Sequence, residues 1–148
     1  MRTVTDTDNG YKQVLTNVRK LRGTTVRVGV NEEPHEGSGG LTNAQIGAIH
    51  EFGLGTSPQR SFLRAWVDQN QRGWKAWLKE HLYRALFGRE AWADNFGQYA
   101  VEGIRARMRL GIPPPLQKAT ADRKGDATPL IDTEQLIDAI EYDVQGGT

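Results

Sequence analysis

The chain has 148 residues, of which 37% are hydrophobic and 25% charged, with a formal net charge of +1. These are the proportions of a single ordinary globular domain, residues 1–148, large enough to bury a real core. There is no cysteine, which excludes disulfide scaffolds, thiolate metal sites and cysteine nucleophiles. No apolar run has the length a bilayer requires, and Met1 to Asp6 lack the apolar stretch of a secretion leader.

Residues 9–22 place Tyr11, Val14, Leu15, Val18 and Leu21 on one helical stripe, with Gly23 where a C-cap glycine belongs. Thr24 to Val30 then alternates, with Val26, Val28 and Val30 on one face, and predicts a half-buried strand. Asn31 to Gly40 has no periodicity, one proline and three glycines, and predicts a mobile loop. Its Gly-Ser-Gly-Gly run lacks the lysine and spacing of a phosphate loop. Thr42 and Gln45 stand at the two positions of a capping box, with Leu41 and Ile46 at the staple positions, and Gly53 ends that short helix.

Beyond Pro58, a long helical pattern starts near Ser61. Leu63, Trp66, Val67, Trp74, Trp77, Leu78, Leu82, Ala85 and Leu86 share a broad face, interrupted at Gly73 and ended by Gly88. A second long helix covers about Glu90 to Leu110, with Trp92, Phe96, Tyr99, Gly103 and Ile104 inward, and stops at Gly111 and the three prolines 113–115. Residues 116–124 suit one or two helical turns, and 125–129 a loop. Asp132 and Gln135 then repeat the capping chemistry between Ile131 and Leu136. Leu136, Ile137 and Ile140 face the core, and from Ile140 the period changes to two, giving a closing strand over 140–145 before a frayed 146–148. The expected class is α+β: several helices, one long pair among them, against a small sheet that includes strands near 25–30 and 140–145.

Charge is segregated along the chain. Residues 1–30 carry six basic and two acidic side chains, and residues 125–148 carry six acids and no base. Solvated faces with internal pairing account for such a pattern, and so does head-to-tail contact between copies, a heterologous geometry that closes into rings. Arg105, Arg107 and Arg109 form a local basic cluster, with Arg105 and Arg109 on one helix face. They are candidates for sequence-independent phosphate contact with DNA, joined in that reading by Lys118, Arg123 and Lys124.

Catalytic patterns are weak. His35-Glu36 and His50-Glu51 are not the HExxH arrangement, and His35 lies in a glycine-rich loop that preorganises a metal poorly. Surface positions, or for His50 a helix end, suit the histidines better. There is no GxSxG elbow, and no pair of carboxylates is marked by spacing. The expectation is a non-enzyme without cofactor or metal.

Two blocks carry a family resemblance. The first is Ile46-Gly47-Ala48-Ile49-His50-Glu51-Phe52-Gly53 followed by Pro58-Gln59-Arg60-Ser61-Phe62-Leu63-Arg64. The second runs from Pro115-Leu116 through Arg123-Lys124-Gly125 to Pro129-Leu130-Ile131-Asp132-Thr133-Glu134-Gln135-Leu136 and Ile140-Glu141-Tyr142. In order and at domain-scale spacing, over roughly residues 41–145, these resemble the tail-completion, or virion-morphogenesis, proteins of tailed bacteriophages. In that family a helix ending in EFG precedes a P-x-R-P-F-L turn, and a P-L-I-D-T-G-x-L segment precedes a C-terminal strand. Ser61 replaces the family's second proline, and Glu134 replaces its glycine. Glu134 is expected at the second helical position, an open site where an acid suits the helix dipole.

The resemblance implies a ring-forming structural protein of the virion neck or upper tail, made in the bacterial cytoplasm. Its partners would be further copies of itself, the neck connector, and the tail tube or terminator, with genomic DNA passing through the lumen and no membrane involved. A tail terminator or a head-closure subunit is the neighbouring alternative, and a DNA-binding module the alternative of another class. The candidate interface or fold-defining residues are Glu51, Phe52, Gly53, Arg60, Phe62, Asp132 and Thr133. For Phe52 and Phe62 core packing is the competing role, and for Arg60 an ion pair within the subunit competes with one between subunits.

Overall fold

The computed structural model describes residues 7–114 and 134–146. In chain order the elements are α1 (Tyr11–Gly23), β1 (Thr25–Val30), α2 (Asn43–Phe52), α3 (Leu63–Gln69), α4 (Gln71–Leu86), α5 (Trp92–Arg109), α6 (Gln135–Asp138) and β2 (Ile140–Gln145). The class is α+β, as the two sequence periods predict. The two predicted strands pair with each other, antiparallel, from Thr25 opposite Gln145 to Val30 opposite Ile140.

Helix α5 is the centre of the fold. Ala93, Gly97, Ala100, Val101, Ile104 and Met108 are its buried residues, and the sheet lies across it with Val28, Val30 and Tyr142 packed on the core. Phe62, Trp66, Ile112, Leu136, Ile137 and Ile140 complete that core. Each large side chain fully buried there contributes about 1.5–3 kcal/mol. Two glycines fix how closely neighbours approach α5. A Cβ on Gly97 would lie 2.2 Å from the Tyr142 ring, and one on Gly103 would lie 2.3 Å from the Trp66 indole nitrogen. Gly103 is inward as expected, whereas Gly97 has no signal in the hydrophobic pattern.

Several expectations are corrected. The long pattern from Ser61 is two helices, and the break is at Asn70 rather than Gly73. Asn70 folds its side chain back, and its Nδ2 donates at 2.9 Å to the same Trp66 carbonyl that accepts the Asn70 amide at 3.0 Å, a local side-chain bond at the helix end. Gly73 sits in a regular helix, with only the Tyr99 hydroxyl 3.5 Å from where a Cβ would be. Gly23 is the last residue of α1, and extended Thr24 caps it. The stripe of α1 is only partly covered: Tyr11 is 69% exposed, and the one buried residue is Asn17, whose Nδ2 donates to the Leu86 carbonyl at 2.8 Å.

The loop expected to be mobile carries a defined hydrogen-bond set. The His35 amide donates to the Leu41 carbonyl at 2.9 Å. Asn43, 1% exposed, holds His35 Nδ1 at 2.7 Å and donates to Asn31 Oδ1 at 2.8 Å. Gln135 accepts from the Glu36 amide at 3.0 Å and donates to the Pro34 carbonyl at 2.8 Å, tying the loop to α6.

Candidate interface site

The first resemblance block folds into one connected corner. Thr42 and Gln45 form the expected capping box, and α2 ends at Gly53, where φ is 68°. A Cβ there would lie 2.8 Å from the Gln59 amide nitrogen, so this glycine serves both the left-handed turn and a close return of the chain. That return is pinned to α2. The Arg60 amide donates to the His50 carbonyl at 2.7 Å, and Gln59 Nε2 to the Glu51 carbonyl at 3.1 Å.

Glu51, 5% exposed, reaches from α2 to the start of α3. Its Oε2 accepts the amides of Phe62 and Leu63 at 2.8 and 3.0 Å. Its Oε1 accepts the Ser61 hydroxyl at 2.6 Å and the Arg64 amide at 3.1 Å. Phe62 itself, at the N-cap, offers no side-chain cap to α3. A carboxylate at this end also meets the positive pole of the helix. Burial works to raise the Glu51 pKa, but hydrogen bonds from Ser61 and the three amides outweigh it and hold the carboxyl below its ordinary value. Ser61, where the resembled family has proline, contributes a hydroxyl to this cap and accepts the Ala65 amide at 3.2 Å.

The candidate residues of this block therefore divide by environment. Phe62 is 0% exposed, in the core, and Arg60 is 5% exposed, with Nε donating to the Pro114 carbonyl at 2.9 Å. Burial lowers the Arg60 pKa. Phe52 and its near neighbour Leu54, by contrast, are 60% and 50% exposed on either side of Gly53. Asp132 and Thr133 lie outside the described residues, as do Lys118, Arg123 and Lys124.

Of the second block the structure describes Glu134 onward. Glu134 is at the N-cap of α6 with φ 60°, not at the second helical position. Left-handed backbone favours glycine, the residue the resembled family has here. The site is open to an acid but strained by its backbone.

The basic cluster on α5 is partly engaged within the fold. Arg105 Nη2 donates to the carbonyls of Asp138 and Ile140, both at 2.9 Å, clamping α6 and β2 onto α5. Arg107 Nη1 donates to Gln69 Oε1 at 2.6 Å, and Arg109 is exposed. The structure thus brings Arg105 to a structural clamp and leaves Arg109 outermost.

His81 departs from the surface position expected of it. It stacks on Trp77 with centroids 3.6 Å apart, and its Nδ1 is paired with Glu90. Glu90 also accepts from Asn95 at 2.8 Å. Its pKa is lowered, chiefly by the bond from His81 and then by that from Asn95. Among the described residues no group of three or more metal-ligating side chains converges, and no helix is long and apolar enough to cross a membrane. Compared with protein-family models, curated proteins and solved structures, the chain has no significant match in any of the three.

Proposed function

We propose that this chain is a structural virion protein of a tailed phage, a ring-forming subunit at the neck or upper tail end that joins or completes the tail. The observation that carries the reading is the Glu51 corner. The residues of the first resemblance block belong to one unit in which buried Glu51, Arg60 and Phe62 hold exposed Phe52 and Leu54 outward. A rigid corner presenting two apolar side chains is the anatomy of an anchor that fills a partner's pocket. The separate basic and acidic stretches of the chain support head-to-tail contact between copies. Tail terminator and head-closure subunit are neighbouring positions under the same reading.

The test is phage assembly with Phe52→Glu and Leu54→Glu combined. Both side chains are exposed, so the isolated variant keeps its circular dichroism spectrum and melting temperature. The expected result is that it no longer co-sediments with neck or tail complexes, and that tail-less heads accumulate. Labelled protein locates at the head–tail junction of intact particles. Absence of the protein from finished particles and from assembly intermediates overturns the proposal.

A further inference from the structure

Among the described residues, the two-stranded sheet has an open edge at β1, and hydrogen-bond parity identifies its outward groups. The Asn31 amide donates to the Ala139 carbonyl at 2.9 Å, one step beyond the ladder in the same register. In an antiparallel pair the hydrogen-bonded positions alternate, so Thr25, Arg27 and Gly29 exchange bonds with β2. Val26 and Val28 therefore turn their N–H and C=O groups away from it. The same parity on β2 turns the Ile140 carbonyl outward, where Arg105 takes it. Among the described residues, nothing bonds to the outward groups of Val26 or Val28.

Beneath this edge lies an almost wholly apolar groove of about 400 Å³, with Val26 and Val28 on one side and Leu63, Val67, Trp74 and Leu78 of α3 and α4 among its other walls. Among the described residues, Arg64 is the one charged side chain that lines it, and Arg27 stands exposed on the opposite face of β1. An unpaired row of amides and carbonyls is satisfied by an extended backbone, and pockets beside it read alternate side chains. A groove of this size takes side chains but not a helix. That argues against β2 of a second copy, which carries its own α5 beneath it. No antiparallel register of β1 on β1 of a second copy brings an acid beside Arg27, and the register centred on Arg27 sets it against its own copy, a like-charge cross-strand contact.

We propose that the β1 edge is a docking strip for one extended segment of a different protein, added antiparallel to β1. Its alternate apolar side chains fill the groove, and acidic side chains between them lie beside Arg27. This inference stands independently of the virion reading.

The probe is an end-capped eight-residue peptide alternating valine and glutamate, added to the full chain. Binding slows hydrogen exchange at the Val26 and Val28 amides. In an antiparallel pairing the valine amides of the peptide face β1, so methylating those nitrogens weakens binding by about tenfold or more, and methylating the glutamate nitrogens leaves it nearly unchanged. Val67→Glu, at a position 44% exposed and so tolerant of the change, also weakens binding by about tenfold. Equal binding of all three peptides overturns the strand pairing, as does no binding at millimolar peptide. If the protein alone self-associates and the peptide dissociates it, a second copy owns the edge and the proposal falls.

Discussion

Helices α2 and α3 both begin with a side-chain oxygen that accepts backbone amides, but the oxygen comes from very different distances along the chain. At α2 it belongs to Thr42, three residues from the Gln45 amide, and Gln45 returns the bond to the Thr42 amide at 2.9 Å. At α3 it belongs to Glu51, 11 to 13 residues before the amides of Phe62, Leu63 and Arg64. The first cap stabilises a helix. The second also fixes the angle between two helices, because its donor and acceptor belong to different elements. Losing Thr42 exposes one helix end, whereas losing Glu51 releases a corner of the fold.

The sharpest way to break this contrast is Glu51→Ala. It leaves buried donors without an acceptor, and the expected loss is about 3–5 kcal/mol in urea unfolding. The charge can be separated from the shape by pH. The Glu51 pKa is depressed in the folded state, so its contribution is fully present above the ordinary carboxyl value and disappears as pH falls through the lower folded value. Glu51→Gln should flatten that part of the acid unfolding curve, and a variant that keeps the wild-type acid midpoint would refute the assignment.

Gly53→Ala comes next, at about 1–3 kcal/mol. It combines a left-handed residue with a return of Gln59 to 2.8 Å from the added carbon. Thr42→Ala follows, at about 1 kcal/mol. Glu134→Gly reverses the sign. Relief of the positive φ at the start of α6 should raise stability by up to about 1 kcal/mol, read as an increase in melting temperature.

The same contrast explains what was legible in the sequence. The Thr42 box, the Gly53 stop and the two strands are written in neighbouring residues or in a period of two, so they can be read before any fold is known. By propensity Gly73 is the better helix breaker, yet the break falls at Asn70, whose side chain bonds the Trp66 carbonyl. Glu51 stood out only as part of a motif. Its role as a cap for α3 depends on a turn whose return path no local pattern specifies. Asn43 and Gly97 carry no local signal, and Arg105 is marked in the sequence only as part of a basic cluster, not as a clamp: each is defined by what tertiary structure brings to it, respectively the 31–40 loop, the Tyr142 ring and the α6–β2 junction. The α1 stripe is legible as helical, but amphipathicity does not say how much of a stripe one subunit covers.

The two small residues on α5 have a consequence for how this chain tolerates change. Gly97 seats Tyr142 of β2, and Gly103 seats Trp66 of α3. Six residues at 1.5 Å each separate the two seats by about 9 Å along the axis, and the helical turn sets them on different sides. Helix α5 therefore works as a gauge bar with two notches, and the offset between sheet and α3 is cut into its length. Adding or deleting one residue between the notches would swing one of them by about 100° and unseat its aromatic ring. The loops can therefore change length at little cost, whereas the interval from Gly97 to Gly103 must keep its count.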